Sequence, residues 1–159
     1  MESYVIPTDK AHIPLLAFDV EEGGVEQIRK MVMRVLVEKV DRQLLKDKFE
    51  VEVKGLESFD NEGLYAEVEK GEDVLRMLNE VFMDAFEDAG FVCDSRFTPH
   101  VSIMRDGLVP DQVFKRFGDK CFGKQEVSSV KLLSMTKPPT SDGFYHCYGD
   151  FKFNFVNAE

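Results

Sequence analysis

Phe97-Thr98-Pro99-His100-Val101-Ser102-Ile103-Met104 places a histidine and a hydroxyl two positions apart inside an apolar run. Side chains on a strand repeat every second residue, so His100 and Ser102 would share one face. An imidazole and a hydroxyl roughly 7 Å apart along a strand suit a phosphate. The hydroxyl donates to an oxygen, and the ring moves a proton near neutral pH. A weaker counterpart stands near the N-terminus, Ala11-His12-Ile13-Pro14-Leu15-Leu16-Ala17-Phe18. From His12 to about Val20 it reads as a strand. Pro14, with no N–H for a ladder, suits an edge or a bulge there. Two such strands facing each other would give a base and an acid, His100 and His12, around one phosphate.

The surroundings of both stretches read as an alternation of helices and strands. Glu21-Glu22-Gly23-Gly24 breaks the first strand. Val25, Ile28, Val32, Val35, Leu36, Val40 and Leu44 then recur at helical spacing, predicting one long helix ending near Asp47. Phe49, Val51 and Val53 alternate with charges as a half-exposed strand, and 55–63 reads as a loop. Leu64, Ala66 and Val68 alternate with Tyr65, Glu67 and Glu69 in a further strand. Leu75, Leu78, Phe82, Ala85, Phe86 and Ala89 mark a second amphipathic helix stopped by Gly90, with a short strand at 91–93.

Beyond the central stretch, Pro110 fits the first position of a short helix ended by Gly118. Residues 126–136 and 144–156 read as strands around a Pro/Ser/Gly loop. The order is that of an α+β protein with a largely antiparallel sheet. No linker or low-complexity segment divides it, so 1–159 reads as one domain.

Composition narrows the function. The formal net charge is -10, which repels long nucleic acid from most of the surface but leaves room for a short nucleotide in a local pocket. Three scattered cysteines, Cys93, Cys121 and Cys147, have no CxxC spacing and point to reduced intracellular thiols. The first residues lack a signal-peptide pattern. No apolar run approaches the roughly 18 residues of a membrane span. The expected setting is the cytoplasm or nucleus, with no membrane partner. His12, His100 and His146 show no close ligand spacing, so neither a metal nor another cofactor is expected. His146 sits on the more polar face of the last strand and reads as a structural or surface residue, with nucleotide contact as the alternative. By itself His-x-Ser is a weak pattern, which a hydrogen-bonded strand histidine fits as well.

The wider stretch carries more. Phe97, Pro99, His100, Ser102, Met104 and the basic Arg105 resemble the second signature of the two-histidine (2H) phosphoesterase superfamily. They are most similar to the central domain of the A-kinase anchoring protein 7/18 type. Leu133-Ser134-Met135 and Gly143-Phe144-Tyr145-His146-Cys147 extend the likeness, which covers about residues 10–156.

The resemblance implies a bilobal, LigT-like fold: antiparallel sheets with outer helices around a central cleft. It implies metal-independent phosphodiesterase chemistry on small 2′,5′-linked or 2′,3′-cyclic nucleotides. By carry-over His12 and His100 are the catalytic pair, and Ser102 holds phosphate oxygen. Phe97, Arg105 and Tyr145 contact the nucleotide, although strict alternation sets Arg105 opposite His100 and Ser102.

Two departures stand out. The first motif reads His12-Ile13-Pro14 where relatives have His-x-Thr, so one hydroxyl anchor is gone. Eleven residues precede His12, where relatives have a strand and a helix. The first lobe is then shortened N-terminally, and a homodimer pairing along an exposed edge would complete it. The alternatives are a catalytically impaired domain binding AMP or CMP, and an interaction module without nucleotide.

Overall fold

A computed structural model of the chain describes residues 12–21, 23–44, 49–59, 62–94, 97–134 and 146–153, without the side chains of 42–44, 59, 62 and 105–108. The chain gathers into two compact units, each assembled from separated segments.

The first unit comprises Met1–Leu15, Glu50–Arg76 and Arg96–Glu126. Its frame is a four-stranded sheet. The strands are β1 (Phe49–Phe59), β2 (Glu62–Lys70), β3 (His100–Leu108) and β4 (Cys121–Val127), in the order β3-β2-β1-β4. β2 runs antiparallel to both β1 and β3. One face is apolar because every second residue is: Ala66 lies opposite Leu56 on one side and Val101 on the other. Val51, Leu56, Ala66 and Val68 are buried. Burying a side chain of valine or leucine size contributes about 1.5–3 kcal/mol over leaving it in water.

The expected loop at 55–63 is overturned, since β1 continues to Phe59 and β2 begins at Glu62. β1 absorbs Gly55 at an irregularity between Val53 and Leu56, with φ +91°. Only glycine takes that conformation cheaply. Its N–H donates to Lys120 O at 3.0 Å, just ahead of β4.

Pro110 turns out to be the N-cap of this unit's short helix, Asp111–Phe117, rather than its first helical residue. The strand expected at 126–136 corresponds to β5 (Ser129–Ser134), with 135–136 outside the described residues, while β4 overlaps it only at Glu126 and Val127 and is an additional strand. β4 is an outer strand of its sheet and exposed from Cys121 to Glu126. Lys120 precedes it and Lys124 lies within it, and charges of this kind discourage unwanted edge pairing.

The second unit comprises Leu16–Phe49, Met77–Ser95 and Val127–Glu159. The long helix expected to reach Asp47 changes form part-way. Val25–Val35 is α-helical, and Leu36–Leu44 is a π-helix. Residues 45–47 lie outside the description. The apolar spacing alternates between three and four as far as Val35, then becomes four from Leu36 through Val40 and Leu44. A wider turn keeps Leu36 and Val40 on one stripe, and Ile28, Met31, Val32, Val35, Leu36 and Val40 are all buried.

A longer helix, Glu72–Asp88, buries Leu78, Phe82 and Phe86 within this unit. It ends in a Schellman turn: Phe91 N–H donates to Phe86 O at 3.0 Å and Gly90 N–H to Glu87 O at 2.9 Å. Gly90 takes φ +95°. The Phe86 and Phe91 rings meet at 6.0 Å, the hydrophobic contact such turns favour, and Phe18 stacks on Phe86 at 4.6 Å.

The strand expected at 12–20 does not form. That segment makes one isolated antiparallel bridge, Phe18 with Cys93, and Asp94 N–H donates to Ala17 O at 3.0 Å. Pro14 offers no donor for a ladder. The short strand expected at 91–93 is reduced to the same bridge. β6 (His146–Lys152) pairs antiparallel with β5, and the remainder of the expected 144–156 strand falls outside the described residues, except that Phe153 is buried just past its end. Phe153 N–H donates to Ser128 O at 2.9 Å. Among the described residues no helix is long and apolar enough to cross a membrane.

Candidate functional site

β3 opens at His100, directly after buried Pro99. His100 Nδ1 lies 2.6 Å from Thr98 O. A carbonyl oxygen only accepts, so Nδ1 is the donor. In the neutral ring the acceptor lone pair is then on Nε2, the nitrogen that can take a proton.

The register of β2 against β3 builds the rest. Glu67 pairs with His100 and Tyr65 with Ser102. Directly opposed residues of an antiparallel pair share a face. His100, Ser102, Tyr65 and Glu67 therefore form one surface, which Glu57 of β1 joins through its pairing with Tyr65. The Tyr65 ring meets the His100 ring edge-on, 5.4 Å between centroids.

From Ser102 to Met104, two steps on β3 match one step on β2, from Tyr65 to Leu64. This bulge interrupts the two-residue alternation assumed when Arg105 was set on the opposite face. The side chain of Arg105 lies outside the described residues, as does Tyr145 altogether.

The approach to β3 is held by Arg76, on the first turns of the Glu72–Asp88 helix. Its Nε and Nη2 donate to Glu72 Oε1 at 2.9 and 2.7 Å, and its Nη1 donates to Phe97 O at 3.2 Å. The guanidinium carbon also lies 5.9 Å from the Phe97 ring centroid. Phe97, expected to border a base, is half-buried and fixed by main chain and ring together.

Two groups on the histidine face titrate away from their ordinary range. Desolvation, then the charges of Glu57 and Glu67, push the Tyr65 phenol up. Desolvation, then Glu57, Glu72 and Glu69, push the Glu67 carboxyl up. Lys54 offsets part of this acidity, with its Nζ 3.7 Å from Glu69 Oε2.

His12 is half-buried and belongs to the same unit as His100. His146 lies in the other unit, opposite Ser134 on β5, with its ring 4.8 Å from that of Tyr148. The second unit also holds a groove of about 560 Å³ lined by residues including Arg34, Lys39, Asp84 and Asp88, and none of the candidate residues borders it. Among the described residues no three His, Cys, Asp or Glu side chains gather as metal ligands would.

Tyr65 and Glu67 escaped the sequence reading. Their alternation with Leu64, Ala66 and Val68 put them on a polar face. Nothing local says that this face lies beside His100.

The model of the AKAP7 2'5' RNA ligase-like domain matches residues 1–153. The chain belongs to that family. The resemblance to 2H phosphoesterases of the anchoring-protein type thus holds for nearly the whole chain. The crystal structure of TT0787 of Thermus thermophilus is similar at a TM-score of 0.64 and 19% identity, covering 94% of this chain and 81% of that one. At that identity the likeness speaks for the fold, which is α+β and LigT-like. No curated protein sequence matches significantly. In this AKAP7 2'5' RNA ligase-like domain, the second histidine motif is the one built into the sheet.

Proposed function

We propose that the protein is a metal-independent phosphodiesterase acting on small 2′,5′-linked or 2′,3′-cyclic nucleotides. The observation that carries this is the His100 ring, its Nδ1 tied to the Thr98 carbonyl, on the same strand face as Ser102. Membership of a 2'5' RNA ligase-like family supports it.

In opening a 2′,3′-cyclic phosphate, His100 Nε2 takes a proton from water as the water oxygen bonds to phosphorus. The bond from phosphorus to one ribose oxygen breaks, and protonated His12 supplies that oxygen with its proton. The product is a phosphomonoester, and the two rings finish with their protonation exchanged. Ser102 Oγ donates to a phosphate oxygen throughout. Phe97, Arg105 and Tyr145 complete the nucleotide contacts.

The test is turnover of a panel of 2′,3′-cyclic nucleotides and 2′,5′-linked dinucleotides by the unaltered protein, His100→Ala and His12→Ala. Turnover lost in both variants with an unchanged circular dichroism spectrum supports the scheme. No turnover of any substrate by the unaltered protein overturns it.

Pro14 favours a second reading, a domain that binds nucleotide without cleaving it. That reading expects AMP or CMP binding by calorimetry in the absence of hydrolysis. No binding at millimolar nucleotide would sink both.

A further inference from the structure

The first histidine motif has Pro14 where a hydroxyl would hold a phosphate oxygen, so one donor is missing from the pair of motifs. A candidate to replace it stands on β2. Tyr65 is the cross-strand partner of Ser102, and its ring lies 5.4 Å from that of His100 at an interplanar angle of 66°. Opposed residues on antiparallel strands have Cβ atoms about 4.5–5.5 Å apart. The phenol therefore rises from the same face as the Ser102 hydroxyl and alongside the imidazole.

We propose that Tyr65 Oη is a second donor to the phosphate oxygens that Ser102 holds, making up for the hydroxyl that Pro14 lacks. This rests on the reading of His100 and Ser102 as a phosphate site.

The chemistry of the face supports the assignment. A phosphodiester is an anion and needs donors. The carboxylates of Glu57 and Glu67 accept hydrogen bonds and repel a second anion. Tyr65, directly opposite Glu57 and two residues from Glu67 on the same strand face, carries a hydroxyl that can donate. Burial and those same carboxylates raise the phenol's pKa, so the donor proton stays in place through neutral pH. A neutral donor also avoids adding charge to an already acidic surface.

Tyr65→Phe tests this, because it keeps the ring against His100 and removes one oxygen. The unaltered protein, Tyr65→Phe, Ser102→Ala and His100→Ala are titrated calorimetrically with AMP and with adenosine, which shares the base and ribose but has no phosphate. The expected result for Tyr65→Phe is AMP binding weakened roughly ten- to hundredfold, with adenosine binding unchanged.

AMP binding as tight as in the unaltered protein, while Ser102→Ala weakens it, overturns the role of Tyr65 and leaves the phosphate site standing. Equal loss for AMP and adenosine overturns it too, since the phenol would then serve the base or the fold. AMP binding unchanged in all three variants overturns the phosphate site, and the role of Tyr65 with it.

Discussion

His12 and His100 each lead a His-x-x segment, and the chain treats the two segments differently. His100 opens a strand whose partner strand places Glu67 and Tyr65 beside the motif. His12 lies in a segment that forms no strand and reaches sheet pairing only at Phe18. The third residue separates them chemically. Ser102 keeps both a hydroxyl and a ladder N–H, and Pro14 has neither. Under the proposed function, a histidine motif does two jobs when its third residue is serine or threonine: it holds the phosphate and continues the sheet that aims the ring. With proline there, only the imidazole is left.

The sharpest break of this comparison is at the rings. His100→Ala is expected to lower turnover of a 2′,3′-cyclic nucleotide about 10²- to 10⁴-fold, measured by product chromatography on folded protein. A fall of less than about threefold would remove His100 from the chemistry.

Next come the third residues. Ser102→Ala should cost roughly ten- to hundredfold in kcat/KM. Pro14→Thr should move the other way, raising it up to about tenfold by returning the missing donor. No gain from Pro14→Thr would mean that the first segment does not hold phosphate through that position.

A smaller effect is expected where β3 is anchored. Arg76→Met releases the Phe97 carbonyl and should raise KM by about two- to fivefold, in keeping with the modest worth of an exposed ion pair.

Smallest is Glu67→Gln, read as Tm against pH. The folded carboxyl titrates higher than the unfolded one, chiefly through desolvation and then Glu57. Folding therefore favours the protonated form, and stability is lost as pH rises through the folded pKa. The variant should match the unaltered protein in acid and melt slightly higher at neutral pH. The opposite sign would show Glu67 paired rather than repelled.

Much of this was legible residue by residue. The stripe Leu75, Leu78, Phe82, Phe86 marked its helix because burial repeats at the helical period. His100 and Ser102 shared a face as strand alternation requires. Gly55 and Gly63 hid the full length of β1 and β2, since a glycine that looks like a loop signal can sit inside a strand. β4 was missed because Cys121-Phe122-Gly123-Lys124-Gln125-Glu126 is exposed along its whole length and has no apolar alternation to read. Tyr65 was beyond reach for another reason. Alternation gives a residue's side of a strand, while register against a neighbour depends on bulges such as that at Ile103. The change from α- to π-helix at Leu36 left only a faint trace, a shift in spacing from mixed three and four to four.

The bond from His100 to Thr98 runs to the main chain, and every amino acid brings the same carbonyl. Substitutions at position 98 can therefore accumulate without changing which imidazole nitrogen keeps its hydrogen. The threonine itself is exposed and open to drift. The ring's tautomer is inherited with the path of the backbone, and a library randomised at that one codon should return active clones of widely differing side-chain chemistry.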